Sequence, residues 1–310
     1  MALSPFTTIA TIVASLILLL TSVSSYSFPL VIRDDDEHSI PENDIDLLEF
    51  PLNLEYLGAE FFLHASMGHG LDRYAPSLAS GGPRPLGAKK ANLDPRPLGA
   101  KKANLDPFIR DVIEQFAWQD VGHLRAIKKT VEGFPRPLLD LRTESFAKVM
   151  DKAFRLNFLI ASYMIPYVGL TGYIGTNQRL QGSASKQLVA GLLAVKSGQD
   201  AVIRGLLYER AFQKVQPYGI TVAEFTDRIS DLRNKLGHRG LKDEGLIVPE
   251  YKSAEGKIRG NVLVGNQYSV GFASSPREIV RIVYGGGNEH SAGGFFPHGA
   301  NSRIARFYRT

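Results

Sequence analysis

Leu156 to Gln178 is a run of 23 residues without one charged side chain. Such a run has two stable surroundings, a lipid bilayer or a protein interior that encloses it on every side. Pro166, Gly169 and Gly172 interrupt it, and Asn157 and Thr171 add polar groups. These features favour the buried centre of a helical bundle. The membrane-spanning alternative rests on this stretch alone.

The rest of the chain supplies helices to surround that centre. Asn43 or Asp44 is placed to cap a helix running to about Met67, before Gly68 and Gly70. Leu48, Leu52, Ala59 and Phe62 form its apolar stripe, and Glu55 lies on the same stripe. Asp106 caps a second helix with Pro107 at its first position, where the missing N–H costs nothing. It ends near Gly133, and Ile113, Phe116, Ala117, Asp120, His123, Leu124 and Ile127 share one face. A short helix is expected over Thr143–Ala153. Another begins at Ser183 or Ser185 and extends to about Val215, with Leu192, Lys196, Gln199, Ile203 and Leu206 on one face. Thr221 and Glu224 have capping-box spacing for a fifth helix that stops at Gly237. The expected fold is all-α, a four-helix bundle with an additional helix over 43–237. A loop-rich, Gly-rich C-terminal extension follows over 238–310. It is expected to hold a hairpin around Asn261–Val264 and a short helix over Pro276–Val283.

Residues 70–106 read as a loop rich in Pro and Gly. Within it the twelve residues Pro83–Asp94 recur identically as Pro95–Asp106. One repetition does not make a solenoid, and the second copy is expected to add loop without function. At the other end, residues 1–25 carry no charged side chain, and Ile9–Leu20 is apolar. The small residues Thr21–Ser25 follow, as at a signal-peptide cleavage site. Residues 26–42 read as a flexible lead-in. The expected location is therefore the secretory route. No cysteine is present, which excludes disulfides, thiolate metal sites and cysteine nucleophiles. Net charge is +5 with scattered basic residues, so no nucleic-acid footprint is expected. Such a surface would suit anionic cell-wall polymers or membrane headgroups.

Chemistry concentrates on the inner stripes. A carboxylate followed three residues later by His, repeated on two helices, is how a di-iron four-helix bundle holds its metals, with one further Glu from each of the other two helices. Glu55, Asp120 and His123 match half of that set. At the position of the second carboxylate and His stand Lys196 and Gln199, and Lys152 to Gln199 contains no Asp, Glu or His. Glu55, Asp120 and His123 are thus candidate ligands of a vestigial half-site. The Lys196 ammonium is expected to take the space of a metal and pair with Glu55 or Asp120, with His123 and Gln199 completing the hydrogen bonds. His64, His69, His290 and His298 read as surface or hydrogen-bonded side chains, and Gly285–Gly287 as a turn.

The stretches Leu52–Leu57, Val121–Ala126, Asn157–Tyr173 and Gln199–Arg204 resemble plant desiccation-related proteins with a ferritin-like domain. The resemblance covers nearly the whole chain after residue 25. It implies a ferritin-like bundle and an association with desiccation stress, without naming a reaction. The expected function is a secreted, non-catalytic stress-protection protein with no cofactor. The alternative is a metal-dependent oxidoreductase with a reduced ligand set around one zinc or iron. If the leader is cleaved, the mature protein begins at Ser25 or Tyr26. N-terminal sequencing of protein from a secretory host checks this, and intact Met1 in a membrane fraction contradicts it.

Overall fold

The computed structural model describes residues 42–87, 105–142 and 155–309. The leader, almost all of the lead-in, the helix expected over Thr143–Ala153 and most of the tandem repeat lie outside the described residues.

The first helix is broken where one continuous helix was expected. α1 covers Glu42–Glu49 and α2 covers Leu52–Met67. Pro51 separates them, because proline cannot give an N–H to the preceding turn and its ring clashes with that turn. Asp44 does not cap its own helix. It is buried, and its carboxylate accepts from the N–H groups of Gln181 and Gly182, both at 2.9 Å. α2 ends at Gly68, whose φ of 81° needs a glycine. Two single-turn helices follow, α3 at Leu71–Tyr74 and α4 at Pro76–Ala79. α5 spans Pro107–Thr130, and the Asp106 side chain accepts from Ile109 N at 3.0 Å, as a cap should.

The uncharged run forms two helices, α6 at Arg155–Tyr163 and α7 at Pro166–Asn177. The joint falls just before Pro166, for the same reason as at Pro51. Most of the span Phe158–Asn177 is buried. α8 runs over Ser183–Tyr208 and stops short of the expected Val215. The chain turns there instead, with Val215 N donating to Ile220 O at 2.8 Å and Val222 N to Gln213 O at 3.0 Å. α9, Val222–Gly237, begins with the expected Thr221/Glu224 capping box.

α2 packs on α5, and α7 packs on α8. Contacts of α2 with α7 and of α5 with α8 close these pairs into a four-helix bundle. α9 lies outside it and pairs with α10, Pro276–Val283, which opens with a second capping box from Ser275 and Glu278. The expected hairpin is absent among the described residues, which contain only isolated bridges. The carbonyls of Asn261 and Val262 accept from the buried Arg204 guanidinium at 2.6 and 3.1 Å, so they need no partner strand. A last helix, α11 at Arg303–Arg309, was not foreseen. The extension belongs to the main core: Phe296, Ala300 and Ala305 are buried, and Asn301 exchanges two hydrogen bonds of 2.7 Å with the Asn53 side chain on α2.

Close approach shows in the glycines. Ser274 N donates to Thr171 O at 2.9 Å, and a Cβ on Gly175 would overlap Ser274 O. Gly191 on α8 is exposed with open space beside it. Gly175→Ala is therefore expected to cost about 1–3 kcal/mol through overpacking. Gly191→Ala should stabilise by about 0.5–1 kcal/mol by removing backbone entropy from the unfolded chain. Melting temperatures of the two variants should move in opposite directions.

A lysine-centred candidate site in the bundle

Each bundle helix sends a polar side chain to one point in the core. Glu55 comes from α2, Asp120 and His123 from α5, Tyr173 from α7, and Lys196 and Gln199 from α8. All six are buried. The three-residue spacings put Asp120 with His123, and Lys196 with Gln199, on one face of their helices.

Lys196 Nζ stands 2.6 Å from Asp120 Oδ1 and 3.1 Å from Glu55 Oε2. His123 Nδ1 lies 3.0 Å from Glu55 Oε2. The carboxylate accepts, so Nδ1 carries the ring proton. Tyr173 donates to Glu55 Oε1 at 2.7 Å, and Gln199 Nε2 to Asp120 Oδ1 at 2.9 Å and to Gln119 Oε1 at 3.1 Å. The structure thus brings all five residues chosen from sequence together and pairs Lys196 with both carboxylates. Tyr173 was missed. It fills the α7 position, where a metal bundle has Glu, and the only hint was its place in the uncharged run. Gly58 leaves room for this packing, since a Cβ there would overlap Asp120 Oδ2.

Burial acts against every charge here, so the partners decide each protonation state. Burial alone would raise the Glu55 carboxyl. Lys196, His123 and Tyr173 outweigh it and hold the pKa at about 2. Asp120 is raised, because burial and the Glu55 charge outweigh Lys196 and His123. Burial would lower Lys196, yet Asp120 and Glu55 raise it. The two carboxylates thus favour the charged ammonium of Lys196, while burial and Glu55 disfavour the charged form of Asp120. The depressed pKa of Glu55 stabilises the fold above the ordinary value of 4.5. That contribution is lost as pH falls towards about 2.

The donor set can be tested against metal. Ligand atoms of Glu55, Asp120 and His123 lie within 4.8 Å of one another, close enough for one ion. Asp120 Oδ2 has no hydrogen-bond partner among the described residues. Against this, Lys196 Nζ engages an oxygen of each carboxylate, and His123 Nδ1 is spent on Glu55. A single ion on these groups would compete with the Lys196 ammonium for the same two carboxylates. A two-ion centre does not fit, since α7 and α8 offer a phenol, an ammonium and an amide in place of two carboxylates and a His.

Among the described residues, the other histidines do not converge on the site. His64 is buried, with Nε2 3.4 Å from Glu60 Oε2, while His69 packs edge-on against Tyr74. His290 is exposed beside Glu289. Two buried ion clusters were not foreseen. Arg136 joins Glu60 and Asp72, and Arg233 joins Asp243. Their residues are far apart in sequence, so no local spacing announces them.

A four-helix bundle with polar side chains meeting at its centre is a ferritin-like arrangement, and the chain belongs to the ferritin-like domain family, whose model matches residues 43–209. Among its relatives is the desiccation-related protein PCC13-62 of Craterostigma plantagineum, 53% identical over 275 residues, covering 84% of each chain. It is also 51% identical over 284 residues to the ferritin-like catalase Nec2 of Nesocodon mauritianus, covering 87% of this chain and 88% of the relative. No solved structure matches the chain. The resemblance to plant desiccation-related proteins therefore holds over most of the sequence.

Lys196→Ala strands two buried carboxyl groups without a cation. Its expected cost is about 3–5 kcal/mol at neutral pH, the range for breaking a buried ion pair. Lys196→Met keeps most of the stem and should lose nearly as much. Denaturant titrations of both variants check this, and a loss confined to Lys196→Ala would assign the effect to packing instead of charge.

Proposed function

We propose that this protein acts in protection against desiccation stress as a secreted, non-catalytic ferritin-like bundle. In this reading an internal ion cluster stands where a metal-bearing bundle holds its ions. The observation that carries it is the Lys196 ammonium, at 2.6 and 3.1 Å from the two carboxylates that would have to bind metal. A cation already neutralises those groups, and its proton is held more firmly than usual. The desiccation-related relative supports the biological setting, and the apolar N-terminal run supports secretion.

The second reading is a metal-dependent oxidoreductase, such as one that disproportionates peroxide. The Glu55, Asp120 and His123 triad favours it, as does the catalase named among the relatives. If an ion bound, Glu55, Asp120 and His123 would hold it, and it would supply redox or Lewis-acid chemistry. Lys196 would contribute charge balance and Tyr173 a hydrogen bond to Glu55.

Metal analysis of the purified mature protein, with oxygen evolution from hydrogen peroxide measured before and after chelation, separates the two. The expected result is substoichiometric metal and no chelator-sensitive oxygen evolution. Stoichiometric iron, manganese or zinc with peroxide turnover overturns the proposal. The exchange Lys196→Glu with Gln199→His restores a second carboxylate-x-x-His. Zinc or ferrous iron should raise the melting temperature of that variant and leave the parent unchanged, since only a ligand of the folded state stabilises it.

A further inference from the structure

Outside the bundle centre, the space between α2, α6–α7, α9 and α10 is not filled. An apolar cavity of about 60 Å³ opens there. Leu57, Ile165, Ile229, Leu236, Val283 and Phe295 are among its walls, and Arg233 is the one charged residue that lines it. Arg233 also lines a smaller polar cavity of about 20 Å³, which Arg239, Lys242, Asp243 and Glu278 border. The guanidinium is thus shared between an apolar chamber and a polar one.

The Arg233 side chain is only 5% exposed, and its other groups are occupied. Nε pairs with Asp243 Oδ2, and Nη1 donates to Tyr163 O at 3.1 Å. Its Cζ lies 4.8 Å from the Tyr163 ring centre and 5.1 Å from that of Tyr167. Nη2 is buried and has no hydrogen-bond partner among the described residues. A buried donor of this kind leaves a hydrogen bond unmade, and an arriving acceptor recovers it. Arg204 is buried nearby and shares the acids Asp243 and Asp200 with Arg233. Burial raises both carboxyls, Asp200 to about 6 despite the two guanidiniums. Below about pH 6, where Asp200 gains its proton, this group is left with a net positive charge.

We propose that this cavity is a binding site for a short-chain aliphatic carboxylate, with the carboxylate on Arg233 Nη2 and the hydrocarbon chain against the Leu, Ile and Val walls. A volume of 60 Å³ admits roughly four to six water-sized groups at about 10–15 Å³ each. The five carbons of hexanoate beyond its carboxylate fall within that number. The inference does not depend on the bundle centre being metal-free, because neither Arg233 nor the cavity walls belong to that site.

Calorimetric titration of the full chain with butanoate, hexanoate, decanoate and hexanol tests it. Affinity should rise about fourfold per methylene from butanoate to hexanoate, then stop rising for decanoate, which outgrows the cavity. Hexanol should bind about tenfold more weakly, because it lacks the charge that strengthens the hydrogen bond to Arg233. Arg233 also holds the fold together, so the informative variant is Leu236→Phe, which fills the cavity from its partly exposed wall. It should keep its melting temperature and lose hexanoate binding. Undetectable hexanoate binding, equal binding of hexanol, or unchanged binding by a folded Leu236→Phe would each overturn the proposal.

Discussion

The bundle depends on one buried ammonium. A lysine enclosed on all sides can remain charged only if anions compensate for lost water. Lys196 has two, from two other helices. Its position also fixes the neighbours: Glu55 must accept from His123 and Tyr173, Asp120 must accept from Gln199, and Gly58 must lack a side chain to admit Asp120. The helices are thereby set in register by directional contacts as well as by apolar packing, which alone tolerates sliding. The arrangement is internally neutralised to a degree that a bare cluster of acids would not be, and this is the physical basis for reading it as structure.

The loop-rich part relies on the same device with a different cation. Arg136 and Arg204 have no exposed surface. Arg136 gathers Glu60, Asp72 and the carbonyls of Gly82 and Pro83, which ties the connection after α2 to the bundle. Arg204 gathers the carbonyls of Glu244, Gly245, Asn261 and Val262. A planar fork with five donors can satisfy several carbonyls that no strand or helix serves. Segments without regular structure can therefore be buried without unmet polar groups.

How much of this the sequence disclosed follows from how local each cause is. Helix starts at Asp106 and Thr221 were legible because a cap and the residues it serves lie within four positions of one another. The inner positions of Glu55, Asp120, His123, Lys196 and Gln199 were legible because a helix repeats its faces at fixed spacing. Pro166 was legible as an interruption of the uncharged run, since proline acts on its own preceding turn, whereas the apolar pattern across Pro51 masked the same effect there. Tyr173 could not be chosen from among the other tyrosines of its run, because only the distance to Glu55 on α2 distinguishes it. The hairpin expected at Asn261–Val264 failed for a similar reason: its carbonyls are claimed by an arginine 57 positions earlier.

The paired amide bonds between Asn53 and Asn301 also bear on the order in which the molecule can be assembled. Residues near the start of the described chain are completed by residues near its end, and Ala305 is part of the same interior. A growing polypeptide would therefore hold its first bundle helix with one side uncovered until Asn301 and the segment around it have been joined. Completion of this helix's surroundings waits on a partner 248 residues away, and the chain must stay unaggregated until then without the native contacts that will later protect it.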